Sequence, residues 1–436
     1  MINDSEYLDL TMSRHQRRGR CRYRSQLVWT YRSGHAPAPF ALVSRKSDVL
    51  SQIGRYEQSA RLLADYLARA ESCVDRHWAA VFSSDLAGTL RIMGQPGSAV
   101  PHAERARALF PALHDDRGLA NAIYNLSCIY FDLSQYDLAQ QHLRELLEIA
   151  DRTGQLDLSA KALYGLRDEL ERGYLLTTFR NYLEKARRSR DRPLMAIVYF
   201  YLGDFHLTAG EWAQAEECNR SQYQLAQETG NRMGMSYAIG DRGLIYDGQG
   251  RHREAIECYL EKLRISEEMA DSYNIYEALS NLGAAHMLLG EYQPALGYFR
   301  QAEAHSRRHQ IMHHLCMSLS LVAHCLFELG RHGQAVIANQ EALVIACEID
   351  HPPVIFSGSL LEARIAALDD RPRAIAKLEN LLPQAANDEG RADVHLELYR
   401  LTGDPLQRQE ALRYYRQYFD QSKLHYVNKR IEELSA

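Results

Sequence analysis

Histidines and cysteines are the residues of this chain whose types could support metal binding or nucleophilic catalysis. His305, His309 and His313 are spaced four residues apart, so one helix face could present their imidazoles to a metal ion. No cysteine or acidic residue shares that register, and a histidine-rich connector between helices is the favoured interpretation. His324 and Cys325 are adjacent, and adjacent residues of a helix point to different faces, which argues against a cysteine–histidine nucleophile. We predict no metal site and no cofactor.

The sequence contains none of the strong motifs that mark common enzyme sites, such as a P-loop, GxGxxG, GxSxG, HExxH or CxxC. Its eight cysteines are scattered over 436 residues, which predicts reduced and mostly buried thiols. No stretch approaches the ~18 consecutive apolar residues needed to span a bilayer, and arginines occupy the place of a signal-peptide core. A non-catalytic cytoplasmic protein without a membrane partner is therefore expected.

Charge is unevenly distributed along the chain. The formal net charge is −5, yet residues 1–46 hold nine basic residues against three acidic ones. We predict a flexible basic N-terminal arm over residues 1–46. The segment from Arg14 to Arg24 could neutralise nucleic-acid phosphates, with Trp29 available for stacking on bases. A plain tail without a nucleic-acid partner is the favoured interpretation of the arm.

The sequence contains a repeat with a 40-residue period, and this repeat predicts the helices that would position any binding residues. A glycine followed five residues later by an alanine recurs at Gly210/Ala215, Gly250/Ala255, Gly290/Ala295 and Gly330/Ala335. Further turns are expected near Gly54, Gly94, Ser134, Gly173, Asp369 and Gly403. Upstream of each turn, apolar, small and aromatic residues at offsets of three and four form one helical stripe, which the glycine terminates. Each unit is therefore predicted to be a helix, a tight turn and a second helix.

These residues resemble the tetratricopeptide repeat. Its L-G-x₂-Y pattern is matched by Leu202-Gly203 with His206 and by Leu282-Gly283 with His286. The resemblance covers about residues 50–420 and implies an all-α fold, a right-handed superhelical solenoid of antiparallel helix pairs. We expect nine or ten units over residues 47–436, with atypical capping units from about residue 352. The 40-residue unit is similar to that of sensor and peptide-binding members of the family, which include peptide-pheromone receptors and kinesin light chains.

The resemblance also implies that the first helix of each unit lines a concave groove. The predicted peptide- or protein-binding residues are Asn121, Tyr124, Asn125, Tyr201, Asp204, Tyr237, Asp241, Glu277, Asn281 and His324. Asparagine amides suit an extended peptide because they both donate to and accept from a backbone unit. The acids favour a basic or neutral ligand, and a carboxylate clamp is disfavoured because these helix positions lack Lys and Arg apart from Arg242. Solvated groove residues without a ligand are the alternative interpretation.

A non-catalytic scaffold that binds a peptide or protein in its concave groove is the function these observations predict, with a role in signalling, regulation or complex assembly. The alternatives are the sensor portion of a signal-transduction ATPase or of a transcription-regulator system, and a nucleic-acid-associated protein that acts through the basic arm. The sequence leaves the ligand and the oligomeric state open.

Overall fold

A computed structural model describes residues 38–52, 55–133, 135–269, 271–309 and 311–435. In this part of the chain 21 α-helices follow one another and no strand occurs. Ten consecutive helix pairs form ten units, numbered 1 to 10: α1 (Ala38–Gln52) with α2 (Tyr56–Ser72), α3 (Arg76–Ile92) with α4 (Pro96–Leu109), α5 (Asp116–Asp132) with α6 (Tyr136–Thr153), α7 (Leu156–Gly165) with α8 (Arg172–Ser189), α9 (Arg192–Thr208) with α10 (Trp212–Thr229), α11 (Arg232–Gly248) with α12 (His252–Met269), α13 (Ser272–Leu288) with α14 (Tyr292–His309), α15 (Met312–Glu328) with α16 (His332–Glu348), α17 (Pro352–Ala366) with α18 (Arg371–Leu381), and α19 (Asp388–Thr402) with α20 (Pro405–Ser422). A last helix, α21 (His425–Ser435), closes the stack. The first helix of a unit is called its inner helix and the second its outer helix.

Local sequence signals explain why the helices begin and end where they do. The turn residues Gly210, Gly250, Gly290 and Gly330 all have positive φ angles, which glycine adopts without strain. Asp191 and Asp271 cap inner helices, because each side chain accepts a hydrogen bond from the backbone N–H three residues later. The predicted 40-residue repeat, with a glycine at the turn between the two helices, is therefore confirmed at these four positions.

Close approach of the two helices of a unit depends on small residues at the contact. A Cβ atom at Gly283 would lie 2.5 Å from Phe299 Cε1, so glycine is required where the inner helix α13 meets the outer helix α14. Ala295 and Ala335 are fully buried in the same apolar cluster as Phe299. These contacts repeat from unit to unit, and they form a continuous core along the solenoid.

The boundary of the solenoid lies earlier than predicted. Helix α1 begins at Ala38 instead of residue 47, and its Val43 is buried in one apolar cluster with Phe82 of α3. The helix forms because Phe40, Val43 and Leu50 supply an apolar face for α2 and α3. The segment from Arg14 to Arg24 lies outside the described residues, so the basic arm and its nucleic-acid alternative stay predictions.

Unit 4 departs from the predicted register. Its inner helix α7 ends at Gly165, the turn follows over residues 166–171, and Gly173 lies inside α8. The turn predicted near Gly173 therefore lies a few residues earlier in the chain. Leu175, not an alanine, fills the packing position and is fully buried. The unit is shorter because the second half of its inner helix is truncated.

Turns of early units pack against connections five units later. A Cβ atom at Gly94 in unit 2 would lie 2.8 Å from Ile311 Cδ1, after unit 7. In the same way, Gly210 lies against Ser422 and Lys423, and Gly250 against His425. Successive superhelical turns therefore touch, and the space bordered by the inner helices is called the channel. None of the described helices has the length and apolarity to cross a membrane.

Candidate functional site

Most of the predicted binding residues lie on the inner helices that enclose the channel. Asn121 is exposed and Tyr201 is buried. The other predicted residues are half-buried: Tyr124, Asn125, Asp204, Tyr237, Asp241, Glu277, Asn281 and His324. Their exposure alone does not distinguish binding residues from packing residues, so their hydrogen bonds and ion pairs decide what each can do.

A buried lysine lies behind the inner helices and pairs with an acid that is partly exposed. Lys262 belongs to the outer helix α12 and is 1% exposed, and its Nζ lies 2.8 Å from Glu277 Oε2 on α13. It passes Gly240, where an added Cβ would lie 2.9 Å from Nζ. The absence of a side chain at Gly240 therefore lets an outer-helix residue contribute a charge to the channel wall.

Asp241 lies in the same polar cluster without an ion-pair partner of its own in the described residues. Burial raises its pKa to about 7, Lys262 lowers the pKa, and the charges of Glu277 and Asp204 raise it. A hydrogen bond with Gln222 also favours the charged carboxylate. The acidic wall of units 5 to 7 is therefore partly neutral near pH 7.

A small crevice opens beside Asp241 between α9, α10 and α11. It is lined by Gly203, Asp204, Leu207, Ala215, Asn219, Gln222, Asp241 and Ile245. Asn219 occupies the position that Tyr259 and Phe299 fill in the next two units. Its amide donates to the backbone oxygen of Ala238 at 2.7 Å, which satisfies the polar group but fills less space than an aromatic ring.

The raised pKa of Asp241 predicts a pH-dependent stability. The folded state binds this proton more tightly than the unfolded chain does, since the ordinary value is 3.8 and the folded value about 7. The free energy of unfolding should therefore fall between about pH 4 and about pH 7. Asp241→Asn should be more stable than the wild type at about pH 8 and equal to it at about pH 4. Urea unfolding at both pH values tests this.

Asp420 offers the matched control, because its side chain is 78% exposed. Asp420→Asn should leave the pH dependence of unfolding as it is in the wild type. Equal stabilisation of both variants at about pH 8 would show that Asp241 is not the group responsible.

Tyr201 packs in the core instead of facing a ligand, which corrects its assignment as a binding residue. Its ring stacks on Tyr164 with centroids 4.2 Å apart, and it is 7% exposed within a cluster that contains Phe179 and Phe205. Tyr164 in turn donates its hydroxyl to Asp204 at 3.0 Å. The shortened helix α7 brings this additional tyrosine against α9, so an aromatic stack replaces the expected open wall.

The three predicted asparagines differ in whether their side chains are free to bind a ligand. Asn125 Nδ2 donates to the backbone oxygen of Ser84 at 3.1 Å and to its Oγ at 3.3 Å, which ties α5 to α3. Within the described residues the side chains of Asn121 and Asn281 make no hydrogen bond. Asn121 and Asn281 are therefore the amides free to pair with a peptide backbone.

His324 is a half-buried residue of the inner helix α15. Burial lowers its pKa to about 4, and the charges of Arg364 and of Arg430 on α21 lower it further. Glu328 lies 3.7 Å from its Nε2 and opposes that shift. The other predicted binding residues lie on the inner helices of units 3 to 7.

Arg91 and Lys161, two partly exposed cations on the inner helices of units 2 and 4, were not among the predicted binding residues. Lys161 stands 40 residues after Asn121 and is its equivalent in unit 4. It was overlooked because the turn of that unit was placed at Gly173. Stepping the Asn121 position forward by one period would have found it. Arg91 lies near the end of α3, beyond the helix positions that the repeat pattern highlights.

The other histidines and cysteines singled out in the sequence are structural. His305 Nε2 lies 2.8 Å from Ser272 Oγ, and Cys325 is fully buried in an apolar cluster. Within the described ranges, no group of three or more His, Cys, Asp or Glu residues could hold a metal ion. Burial lowers the pKa of His313 to about 4, which keeps that imidazole neutral at pH 7.

Comparisons with known proteins agree with the repeat geometry. A family model described as tetratricopeptide repeat matches residues 77–152 and 194–268, and a second model with the same description matches residues 277–302. No curated protein matches the chain.

Two solved structures share the overall arrangement of helices. A Rap protein complexed with Competence and Sporulation Factor is similar at a TM-score of 0.52 and 14% identity, over 91% of this chain and 99% of that chain. NprR in complex with its cognate peptide NprX is similar at a TM-score of 0.51 and 10% identity, over 77% of this chain and 98% of that chain. At these identities the similarity establishes the fold.

Proposed function

Because residues 77–152, 194–268 and 277–302 are tetratricopeptide repeats, we propose that this chain is a non-catalytic receptor for a peptide held in its channel. The peptide lies extended along the inner helices of units 3 to 7. Binding there serves a signalling or regulatory role, since one ligand contacts several units and links them. The observation that carries the proposal is a pair of amide side chains without hydrogen-bond partners in the described residues, Asn121 on the inner helix of unit 3 and Asn281 on the inner helix of unit 7.

Amide groups in units 3 and 7 support an extended peptide as the ligand. Asn121 on α5 and Asn281 on α13 are free of hydrogen bonds in the described part of the chain. Each can donate to a peptide carbonyl and accept from a peptide N–H. Glu277, one helical turn before Asn281 on α13, keeps one third of its side chain exposed although it pairs with Lys262. Units 3 and 7 therefore offer donors and acceptors that could pair with the backbone of an extended peptide.

The solved structures give independent support for a peptide as the ligand class. NprR is described with its cognate peptide, and the Rap protein with Competence and Sporulation Factor. Both are similar to this chain in fold. Burial raises the pKa of both Asp204 and Asp241, and these acids favour a peptide segment that is neutral or basic in units 5 and 6.

Loss of the free amides tests the proposal. Asn121→Ala combined with Asn281→Ala should weaken retention of peptides from a random hexapeptide library by about tenfold or more, because two backbone-pairing groups are lost at about 1 kcal/mol each. The melting temperature should stay at the wild-type value, since neither amide has an intramolecular partner. Affinity selection followed by mass spectrometry measures the retention, and undiminished retention would contradict the groove assignment.

Asn125→Ala should show the opposite behaviour. This change removes the hydrogen bonds to Ser84 and should lower the free energy of unfolding by about 1 kcal/mol, because α5 loses its tie to α3. Chemical unfolding monitored by circular dichroism measures the loss. A variant with wild-type stability and impaired peptide retention would assign Asn125 to the ligand instead.

A further inference from the structure

We propose that the exposed face of α16 is a contact between two copies of this chain, which pack this helix antiparallel against itself. Of the helices that the structure describes, α16 alone carries two large apolar side chains that are each more than half exposed. Ile337 is 67% exposed and Val344 is 59% exposed. The contact is independent of the proposed peptide binding, because α16 is an outer helix and the channel is bordered by the inner helices.

Packing within the solenoid does not require these two side chains. Ile337 and Val344 lie on the face of α16 opposite its buried residues, which are Ala335, Asn339, Ala342, Ile345 and Ala346. The equivalent positions one, two and three periods earlier are also exposed, and they hold Gly297 and Ala304, Glu257 and Arg264, and Glu217 and Gln224. Large apolar residues at these positions therefore distinguish unit 8 from units 5 to 7, and the repeat itself does not explain them.

The spacing of the two side chains suits a helix pair. Residues seven apart lie almost directly above one another on a helix surface, two turns apart, which is the spacing along the seam of a coiled coil. In an antiparallel pair with a two-fold axis between Gln340 and Glu341, Ile337 of one copy lies against Val344 of the other, and the reverse contact also forms. Each copy therefore withdraws both apolar side chains from water.

Charges at the two ends of α16 favour a second copy in this orientation over an unrelated partner. In the same register, Glu348 lies opposite Gly333 of the other copy, at the N-terminal end of its α16, where Arg331 is the N-cap residue. Within the described residues Glu348 forms no ion pair, and the guanidinium of Arg331 donates to Gln293 Oε1 at 3.0 Å without an acidic partner. Each acid therefore meets a cation and the positive end of a helix dipole, so the face is complementary to itself.

Polar residues border the apolar centre of this face. On one side Arg307 of α14 forms an ion pair with Glu341 at 2.7 Å, and on the other side Gln340 is exposed. The neighbouring helix α14 has the small residues Gly297 and Ala304 at the equivalent positions, so it leaves room for the second copy. One helix pair buries less than the ~1,200 Å² of a standard interface, so we expect a dissociation constant on the order of 10 µM.

Association of the full chain with itself tests the contact. Sedimentation velocity should show monomers at about 1 µM and dimers at about 200 µM. Ile337→Glu should raise the dissociation constant about 100-fold or more, because each dimer would then bury two unpaired carboxylates at its centre. Leu406→Glu is the matched control and should associate as the wild type does, since Leu406 is 58% exposed on a different outer helix, α20. Melting curves at about 1 µM should be unchanged in both variants, because neither side chain is buried in the monomer.

Charge reversal tests the antiparallel register. Arg331→Glu alone and Glu348→Arg alone should each raise the dissociation constant about tenfold, because each sets like charges against one another at both ends of the pair. The two changes combined in one chain should restore the constant to within about threefold of the wild-type value, since an acid and a cation face each other again. A parallel pair would show no such recovery, because each residue would face its own copy.

A cysteine beside the two-fold axis gives a second measurement. In a chain that carries Cys73→Ser and Cys347→Ser, which remove the exposed thiols, Gln340→Cys should form an intermolecular disulfide under mild oxidation. The control is Gln224→Cys in the same background, since Gln224 is exposed on α10, and it should remain uncrosslinked. Non-reducing electrophoresis measures both.

Three results would overturn the proposal. A wild-type chain that stays monomeric at about 200 µM rejects contact with a second copy. Dimers that form equally well with Ile337→Glu, and in which Gln340→Cys does not crosslink, reject α16 as the contact surface. Loss of association in both single charge variants without recovery in the combined variant rejects the antiparallel register.

Discussion

Glu277→Gln is expected to lower the free energy of unfolding by about 3 kcal/mol, because it leaves the ammonium group of Lys262 without its carboxylate partner. Lys262 is 1% exposed and its Nζ lies 2.8 Å from Glu277 Oε2. Asp241 compensates poorly, since burial raises its pKa to about 7 and leaves it partly protonated. The lysine must therefore lose its proton or remain charged in a buried site, and both are unfavourable.

A double-mutant cycle separates the ion pair from other effects. Lys262→Met with Glu277→Gln should cost less than Glu277→Gln alone, because methionine fills the buried space without a charge. Glu267→Gln on the exposed face of α12 is the matched control and should stay within about 0.5 kcal/mol of the wild type. Urea unfolding measures all four variants. Strictly additive costs would show that Lys262 and Glu277 do not act as a pair.

Phe299→Ala should cost about 3–5 kcal/mol, the range for removing a fully buried aromatic ring. Phe299 is fully buried beside Leu296 and Val322, and its ring fills the space above Gly283. The cavity cannot close easily, because the helices on both sides are held by the same contacts in neighbouring units. Thermal and urea unfolding measure the loss.

Tyr174→Ala serves as the control for Phe299→Ala, since Tyr174 is 54% exposed on α8. Its cost should stay below about 0.5 kcal/mol. A repeat stack has mainly nearest-neighbour contacts, so Phe299→Ala should also broaden or split the unfolding transition as units on either side of α14 separate. A cost equal to that of Tyr174→Ala would contradict the placement of Phe299 in the core.

Local repetition explains which parts of the fold could be predicted from the sequence. The turns at Gly210, Gly250, Gly290 and Gly330 recur because the two helices of each unit pack against each other in the same way, through the same residue types. A glycine with positive φ ends the inner helix, and an alanine five residues later admits the neighbouring helix. Such contacts involve residues close in sequence, so their spacing predicts them.

Residues that meet across units could not be predicted in this way. Lys262 reaches the channel from an outer helix because Gly240 leaves room, a relation that the groove positions of the inner helices do not include. Tyr201 turns into the core because Tyr164 of the shortened unit stacks on it. The contact of Gly94 with Ile311 depends on the superhelical pitch, which no single repeat specifies.

The register of unit 4 had the largest consequence for the candidate site. Placing its turn at Gly173 removed Lys161 from the set of channel residues, although it lies one period after Asn121. Without a residue from unit 4, the predicted binding residues are amide, acidic and aromatic side chains. Lys161 and Arg91 add two partly exposed cations to the residues of the inner helices.

Protection of Cys128 from alkylation tests the peptide-binding channel most directly. Cys128 is a half-buried thiol on the inner helix α5, one helical turn after Tyr124. Cys73 is exposed at the end of α2 and provides an internal control within the same molecule. With a selected hexapeptide at about ten times its Kd, N-ethylmaleimide should modify Cys128 about tenfold more slowly, while Cys73 reacts at its original rate. An unchanged rate at Cys128, or equal slowing at both thiols, would contradict binding in the channel.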